Sequence, residues 1–358
     1  MVSTIIVNYH SAALTRRAVA SVLEEGGKSE VIVVDNTVTA EEQALLSEIL
    51  PNSVTLILNR ENEGFARACN RAFAAAKGEF IFLLNPDAYL LPGALRHLAD
   101  TLVAHPGAGA VGPRLFWNDG RNILLPSSTY PSPFTVFLDA LGRISPFFAW
   151  GRSLGYRRSL LDAWQATLPI RQVALSGGHL MLRRSALERC GGLFDERFFM
   201  FYEDSDLMHR LEQAGYSLYL APGAAVVHRC RNEGSKNKLM EQSGPLYFEK
   251  NFHNHWLLAL AARLGGCTFR LGCDSVRDLG AVSAPIKLDV PERLHSRWLF
   301  EFSPAPNFIP MLGYFGSGPQ MSFPEDAWDL LGSGTYFGRI SDPKKFFVSR
   351  EMCSWLIK

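Results

Sequence analysis

The amino-acid sequence predicts an α/β protein with a parallel sheet covered on both faces, followed by a small all-β unit. Four short apolar runs, at 4–7, 31–34, 54–58 and 80–84, alternate with helical stretches. Strands without polar alternation are typical of parallel sheets whose two faces are both buried. After about residue 280 helical periodicity almost disappears, and strand-like pieces are separated by Pro, Gly and Ser turns, which is the pattern of an all-β module.

Glycines mark the ends of most of the predicted helices. The first helix follows the first strand, and the second is Ala-rich and closed by Gly78, as expected for helix C-termini. Strand and helix signals return after the middle of the chain. The predicted elements are helices over 12–25, 65–77, 204–214 and 239–264, and further strands over 173–182 and 216–227.

The change from helical periodicity to short strand-like pieces near residues 265–285 predicts a domain boundary. We expect a catalytic domain over 1–265, a linker over 266–284 and a β-sandwich-like accessory domain over 285–358. The strand-like pieces of the accessory domain lie at 298–302, 336–340 and 346–348. Packing on the catalytic domain is its simplest role, and carbohydrate binding or assembly are alternatives.

Residues 134–171 are less regular and differ in charge from the rest. They hold seven aromatic residues and five arginines against two aspartates. Arginine and aromatic residues together are typical of segments that lie on an anionic membrane surface. An irregular loop on the acceptor side of an active site is the alternative interpretation.

Composition excludes several classes of protein. The 358 residues include 36 basic and 35 acidic side chains, a net charge of +1, which argues against a broad nucleic-acid-binding surface. Six cysteines without a CxxC pair argue against a disulfide scaffold or zinc ribbon. No signal peptide is evident, and the longest apolar run of the last third, 256–262, is too short to span a bilayer. We therefore expect a cytoplasmic protein.

Polar residues end three of the predicted strands. Asn8, Asp35 and Asp87 stand where ligands bind in open α/β sheets, at the carboxyl ends of strands. The first strand is followed by Asn-Tyr-His-Ser without glycine, so neither a dinucleotide fingerprint nor a P-loop is present.

Two of the candidate groups have oxygen or nitrogen ligands for a metal. Asp87 follows an apolar strand and a proline turn, and His228 ends the strand over 216–227. A carboxylate with donor phosphates suits Mg²⁺ or Mn²⁺, and imidazole also suits Mn²⁺. An Asp in ordinary turn chemistry and a His that merely caps a strand are the simpler alternatives.

A second acidic group opens the helix over 204–214. Glu203, Asp204 and Asp206 follow a run of aromatic residues, which describes a cleft wall carrying a general base. Favourable charge at a helix N-terminus accounts for part of the cluster. The pair Gly177-Gly178 interrupts an apolar strand, which indicates either close approach of a ligand or a bulge.

Nine segments occur in a characteristic order: IIVNYHS at 5–11, VVDN at 33–36, NEGFARACN at 62–70, LNPDA at 84–88, GPRL at 112–115, SGG at 176–178, GGLFDERFF at 191–199, YEDSDL at 202–207 and VVH at 226–228. Together they resemble the family 2 glycosyltransferases, particularly the bacterial rhamnosyltransferase-like branch. The resemblance covers about residues 1–255. It implies a GT-A fold, with a Rossmann-like half for the nucleotide and a mixed-sheet half for the acceptor.

The resemblance also implies roles for individual residues. Asp204 matches the catalytic base, and Asp87 matches the last acid of the DxD metal motif, whose first acid is replaced here by Asn85. His228 matches a metal-ligating histidine of some relatives. The implied donor-binding residues are Asn8, Tyr9, Asp35, Gly64, Arg67, Asn70 and Asn85, and the implied acceptor-side residues are Gly177, Gly178 and Glu203.

The expected function is that of an inverting glycosyltransferase of surface polysaccharide synthesis, with a divalent metal, Mg²⁺ or Mn²⁺. The donor would be a dTDP- or UDP-linked sugar and the acceptor a hydroxyl of a glycan or of a lipid-linked sugar. No nucleic-acid partner is expected, and 134–171 would give peripheral contact with the inner face of the cell membrane. The alternatives are an inactive sugar-nucleotide-binding or scaffold protein and, less well supported by the first turn, a nucleotidyltransferase.

Overall fold

The structure is a computed structural model that describes residues 1–27, 29–230, 235–264, 276–345 and 352–358. The strands within these parts of the chain are β1 Val2–Asn8, β2 Ser29–Asp35, β3 Val54–Leu58, β4 Phe80–Leu84, β5 Ala88–Leu90, β6 Ala108–Phe116, β7 Ile123–Leu124, β8 Ile170–Gln172, β9 His179–Arg183, β10 Ser217–His228, β11 Val276–Ala281, β12 Lys287–Asp289, β13 Trp298–Ser303, β14 Leu312–Gly316, β15 Gln320–Ser322, β16 Gly334–Ser341 and β17 Met352–Ile357.

The helices occupy the connections between the strands. They are α1 Ala12–Glu24, α2 Ala40–Ile49, α3 Gly64–Ala75, α4 Ala94–Ala104, α5 Pro133–Ile144, α6 Pro146–Gln165, α7 Arg184–Arg189, α8 Glu203–Gln213, α9 Ser235–Phe252, α10 Trp256–Leu264 and α11 Glu325–Trp328, with a 3₁₀ turn at Glu292–Leu294.

The first half is the predicted parallel sheet. Strands β3, β2, β1 and β4 pair in parallel in that order. The central strands are buried over nearly their whole length, and hydrophobic clusters cover both faces of this sheet. The α/β class is therefore confirmed. The register Asn8↔Asp35 brings the ends of β1 and β2 to the same edge.

The second half converts the sheet into a mixed one. Strand β9 pairs antiparallel with both β4 and β6, and β10 pairs parallel with β6 and antiparallel with β5. The strand predicted over 173–182 begins only at His179, as β9, because β8 already ends at Gln172 and residues 173–178, which include Gly177 and Gly178, lie between the two strands. The break allows this segment to leave the sheet.

The expectation of an irregular loop in 134–171 is wrong, because most of this segment is helical. A capping box between Ser132 and Thr135 starts α5, with Pro133 in its first turn. Pro146 stands in the first turn of α6. Proline is favourable in the first turn of a helix, where its missing N–H costs nothing. The helix predicted over 239–264 is likewise interrupted, between α9 and α10, where Asn254 has a positive φ of 54°.

The C-terminal strands extend the main sheet in the part of the chain that the structure describes. The order β11-β17-β16-β13-β14-β7-β6 is continuous, and β14 joins β7 through the pairs Gly313↔Leu124 and Tyr314↔Ile123. Strands β12 and β15 form a separate pair. The hydrophobic cluster around Trp298 also includes Trp117 and Ile123, which lie before and in β7, in the N-terminal part of the chain. The boundaries near 265 and 285 stay predictions, and the strand-like piece at 346–348 lies outside the described residues.

Candidate active site

Asn8 and Asp35, at the ends of β1 and β2, are fully buried. The Asn8 amide Nδ2 donates to Asp35 Oδ1 at 2.9 Å and to Glu42 Oε1 at 3.1 Å. Its Oδ1 accepts from the hydroxyls of Ser11 and Thr15 at 3.1 and 2.7 Å. The Asn8 side chain is thus used within the protein, and its part at this edge is to orient Asp35.

Asp35 keeps one oxygen without a protein partner. Oδ1 accepts from Asn8 and from the backbone N–H of Thr37 at 3.1 Å, whereas the buried Oδ2 accepts no hydrogen bond. Buried carboxylate oxygens are normally satisfied, so a free one at the carboxyl edge of a parallel sheet indicates a ligand contact. Tyr9, the first residue after β1, is half exposed and offers an aromatic face.

Gly64 places the start of α3 against the segment before α8. It has a φ of +80°, and a Cβ there would lie 2.7 Å from the Phe199 ring. The next N–H, of Phe65, donates to the carbonyl of Phe199 at 2.7 Å, and Asn36 Nδ2 donates to the Gly64 carbonyl at 3.0 Å. A side chain at Gly64 would therefore separate α3 from the loop that leads to Asp204.

Arg67 and Asn70 point toward the same segment. Asn70 exchanges hydrogen bonds with the backbone of Phe194, at 2.9 Å to its carbonyl and 3.0 Å from its N–H. Arg67 is exposed and lies 3.7 Å from Glu196. The structure thus places both residues at the junction of α3 with residues 194–196, and Asn70 has a bridging role that donor binding does not require.

The pair Gly177-Gly178 lies between two candidate groups. A Cβ on Gly178 would lie 2.5 Å from Asn85 Cγ, and one on Gly177 would lie 2.8 Å from Asp204 Cβ. The Gly178 carbonyl accepts from the Asn85 N–H at 2.8 Å, and the Gly177 N–H donates to Asp204 Oδ2 at 3.0 Å. The glycines therefore connect the end of β4 with the start of α8 at a spacing that no side chain permits.

Asp204 is held by hydrogen bonds to both carboxylate oxygens. Oδ2 accepts from Gly177, and Oδ1 accepts from the Ser205 N–H at 2.7 Å and its hydroxyl at 3.3 Å. Burial raises the pKa of Asp204, and these hydrogen bonds offset part of the increase. A carboxylate with a raised pKa and a fixed orientation is a suitable general base.

The turn before α8 is strained, which the sequence analysis did not predict. Phe201 and Tyr202 are consecutive residues with φ of 68° and 67°, a region that costs roughly 1–2 kcal/mol for residues with a side chain. Such strain is concentrated at functional sites. It turns Glu203 inward, where burial and then the charge of Asp204 raise the Glu203 pKa to about 8. Glu203 is not among the residues that line the two cavities described below, and its acceptor-side role stays a prediction.

Asp87 and His228 are brought together by the pairing of β10 with β5, in which His228 is opposite Ala88. His228 Nε2 lies 3.2 Å from Asp87 Oδ1. Burial opposes the charge on each group, but their mutual hydrogen bond outweighs it, so the pKa of Asp87 is lowered. The same hydrogen bond, together with one to Cys230, raises the pKa of His228 to about 10.

His179 is a candidate that sequence reasoning missed. It begins β9, opposite Leu84, and its ring centroid lies 4.2 Å from that of His228. Both ring nitrogens are buried without a hydrogen-bond partner, and burial followed by the charge of His228 lowers its pKa well below 6.5. Its position directly after Gly178 was the available signal.

Few possible metal ligands lie together in the described parts of the chain. No group of three or more His, Cys, Asp or Glu side chains converges there. Asp87 and His228 nevertheless present one carboxylate and one imidazole to each other. Once His228 releases its proton, these donors fit a divalent cation that takes its other ligands from water and from the phosphates of a bound molecule.

A cavity of about 420 Å³ opens beside Asp204. It is within the size range of ligand sites. Asp204 lines this cavity together with Tyr156, Ser205 and Met208. Residues 126–129 and 309–310 also belong to the lining. The base candidate is thus adjacent to a space large enough for a second substrate.

Comparison with known proteins shows what this chain is similar to. A model described as "Glycosyl transferase family 2" matches residues 3–164. An N-acetylglucosaminyl-diphospho-decaprenol L-rhamnosyltransferase of Mycobacterium tuberculosis is 33% identical over 216 residues, which are 55% of this chain and 66% of that protein. Residues 3–164 thus match the family 2 glycosyltransferases, and the chain is similar to a rhamnosyltransferase. It spans slightly less than two thirds of the mycobacterial relatives.

Other similar proteins come from archaea. The low-salt glycan biosynthesis hexosyltransferase Agl10 of Haloferax volcanii is 24% identical over 260 residues, 71% of this chain and 74% of that protein. A solved mannosyltransferase of Pyrobaculum calidifontis, in complex with GDP-Man and Mn²⁺, is 20% identical, with a TM-score of 0.45 over 74% of this chain and 73% of that one. The observed mixed sheet and the family model agree with the predicted GT-A fold.

Substitution of Gly177 by alanine tests the close approach on which this site depends. The added Cβ would lie 2.8 Å from the Asp204 Cβ, so we expect a loss of about 1–3 kcal/mol in the free energy of unfolding. Gly107 is the matched control, because a Cβ there meets nothing within 4 Å. Denaturant titration measures both variants. Equal stabilities of Gly177→Ala and Gly107→Ala would show that the segment is not tightly packed.

Proposed function

We propose that the protein is an inverting glycosyltransferase, which moves a sugar from a nucleotide-diphosphate donor to a hydroxyl of a glycan or lipid-linked acceptor. The observation that supports this most strongly is Asp204, a single oriented carboxylate with a raised pKa beside an open cavity. The second acid of the site, Asp87, is bonded to His228 and has a lowered pKa. One acid is thus suited to proton transfer and the other to holding positive charge.

The proposed reaction is a single displacement with one base. The acceptor hydroxyl transfers its proton to Asp204 as its oxygen forms a bond to the anomeric carbon. The bond from that carbon to the diphosphate breaks, and the nucleoside diphosphate leaves with the electron pair. The N–H groups of Gly177 and Ser205 hold the base in place throughout. Attack from the face opposite to the leaving group inverts the anomeric configuration.

The donor is proposed to lie along the carboxyl edge of β1, β2 and β4. Asp35 Oδ2 has no protein partner and is suited to accept a hydrogen bond from an N–H of a uracil or thymine base, as a UDP- or dTDP-linked donor would present. Tyr9 offers a surface for stacking. Asn85 and Gly64 act on the donor site indirectly, since both are fixed against backbone of the acceptor half.

Asp87 and His228 are proposed to hold a Mg²⁺ or Mn²⁺ ion. A bound divalent cation would offset charge on the leaving diphosphate. His179 is buried, and its ring packs against that of His228 at a centroid distance of 4.2 Å. Since the chain has Asn85 where the family motif has an acid, these two ligands supply a smaller negative charge than a motif with two aspartates.

The acceptor is proposed to be a lipid-linked sugar at the inner face of the cell membrane. This follows the mycobacterial relative, whose name specifies an N-acetylglucosaminyl-diphospho-decaprenol acceptor. The aromatic residues Phe134, Phe147 and Phe148 of α5 and α6 are exposed, which supports contact with lipid in this basic segment. No helix among the described residues combines the length and apolar character needed to cross a bilayer.

Substitution of Asp204 by asparagine tests the base. We expect sugar transfer to fall about 100-fold or more, while donor affinity stays unchanged because Asp204 faces the acceptor cavity. Release of nucleoside diphosphate from a panel of sugar nucleotides, with acceptor present, measures the rate. Asp100→Asn, at an exposed carboxylate of α4, is the control. Turnover retained by Asp204→Asn would show that Asp204 is not the base. If the unmodified protein released no nucleoside diphosphate, the alternative of an inactive sugar-nucleotide-binding protein would be favoured.

Substitution of Asp87 by alanine tests the metal site. We expect donor affinity to fall about tenfold or more in the presence of Mn²⁺ and to become insensitive to its removal. Calorimetric titration of the donor with and without Mn²⁺ provides the measurement, and Asp100→Ala is again the control. The same Mn²⁺ dependence in Asp87→Ala as in the unmodified protein would place the metal elsewhere.

Replacement of Phe147 and Phe148 by serine tests the membrane contact. We expect sedimentation with phosphatidylglycerol vesicles to decrease, because both rings are exposed, by 72% and 43%. Val103→Ser, which alters an exposed apolar residue of α4, serves as the comparison. Failure of the unmodified protein to sediment with these vesicles would contradict the proposed contact.

A further inference from the structure

The cavity beside Asp204 has a wall that comes from strands β11 to β17 and their connections, here called the C-terminal unit. Ile309 and Pro310 line it opposite residues of the catalytic half. Both belong to the loop 308–311 between β13 and β14, more than 100 positions from Asp204 in the sequence. The cavity is therefore incomplete without the C-terminal unit.

The loop 308–311 is built to present these two residues. Its flanking side chains, Phe308 and Met311, are buried, whereas Ile309 is half-buried and Pro310 exposed. The Ser303 hydroxyl donates to the Pro310 carbonyl at 2.5 Å, and the Ile309 N–H donates to Asn307 Oδ1 at 3.1 Å. Because both ends of the loop 308–311 are anchored, its accessible centre is a preorganised surface. Less conformational entropy is then lost by the loop when a ligand binds.

A buried ionic cluster attaches the C-terminal unit to α6. Arg157 of α6 pairs with Glu301 of β13, which also binds Arg339 of β16 at 2.6 Å. The three side chains are almost completely buried. The Arg339 guanidinium lies 4.1 Å from the centroid of the Phe308 ring, so the cluster extends to the loop that lines the cavity. Removal of one partner of such a buried pair is strongly destabilising, so the cluster holds the loop in a fixed place.

A second cavity, of about 300 Å³, continues from the first. The two share Ser127, Ser128, Thr129 and Tyr156 in their linings. Tyr156 packs in one buried cluster with Phe308 and Met311, so the C-terminal unit also fixes the residue at which the cavities meet. Together they form a channel that leads from Asp204 past α6.

The lining of the channel indicates the chemistry of its occupant. Beside Asp204 it combines apolar and aromatic surface, from Ile309, Tyr156 and Met240, with hydroxyl groups. In the second cavity it has several serine and threonine hydroxyls and Arg152. Apolar faces with hydroxyl partners suit an uncharged sugar ring, while Arg152, which also pairs with Asp139 at 3.0 Å, suits a phosphate.

We propose that the C-terminal unit is part of the acceptor site and that Ile309 and Pro310 bind the acceptor sugar opposite Asp204. The sugar is an uncharged ring, and its phosphate-linked end extends into the second cavity toward Arg152. Ile309 and Pro310 thus determine acceptor specificity, and Arg157, Glu301 and Arg339 are positioning residues. This assignment rests on the proposed glycosyl transfer.

Substitution of Ile309 by alanine tests this site through a difference between the two substrates. With N-acetylglucosaminyl-diphospho-decaprenol as the acceptor probe and dTDP-rhamnose as donor, we expect the acceptor KM to rise about tenfold, as for loss of apolar contact in a binding pocket. The donor KM is expected to stay unchanged. Leu356→Ala is the matched control, because it removes an exposed aliphatic side chain from the same unit, in β17.

A larger side chain at the same position provides the opposite change. Ile309→Trp narrows the cavity, and we expect loss of transfer to this acceptor with donor binding retained in calorimetry. Retained donor binding also shows that either variant is folded. An unchanged acceptor KM in both variants would overturn the proposal that Ile309 and Pro310 bind the acceptor. It would leave the proposed transfer reaction unaffected. Absence of any transfer by the unmodified protein to this probe from sugar nucleotides would instead overturn the proposed reaction, and this site with it.

Discussion

The candidate active site depends on the contact of Gly177 and Gly178 with their two neighbours. These glycines lie against Asp204 on one side and Asn85 on the other, at distances that exclude a Cβ. Because Asn85 follows β4 and Asp204 lies in the first turn of α8, the contact joins the parallel half of the sheet to the mixed half. Asn85 and Asp204 therefore meet across a backbone segment without side chains.

Several other features hold this junction in place. Gly64 permits α3 to pack on Phe199, just before the strained pair Phe201 and Tyr202. The strain is tolerated because the loop is fixed from the side of α3 by the hydrogen bond from Phe65 to the Phe199 carbonyl. On the opposite side of the cavity, the Arg157 cluster fixes the C-terminal unit. The cavity beside Asp204 is thus lined by residues from distant parts of the chain.

The sequence predicted the parts of this structure that depend on local patterns. The apolar runs predict β1 to β4, and strand-end positions alone mark Asp87 and His228 as candidates, which the structure places 3.2 Å apart. Long-range packing was not predictable in this way. The inward turn of Glu203 depends on the positive φ of the residues before it, and the buried, unpaired His179 is recognisable only once β9 is placed beside β4. The helices in 134–171 were missed because their aromatic content concealed the capping box.

The most direct test of this account is a crystal structure with Mn²⁺ and a nucleotide sugar, with the metal located from its anomalous scattering. The account predicts Mn²⁺ bound by Asp87 and His228, the base of the nucleotide hydrogen-bonded to Asp35 Oδ2, and the anomeric carbon facing Asp204 across Gly177. A metal bound away from Asp87, or a sugar whose anomeric carbon is turned away from Asp204, would contradict it.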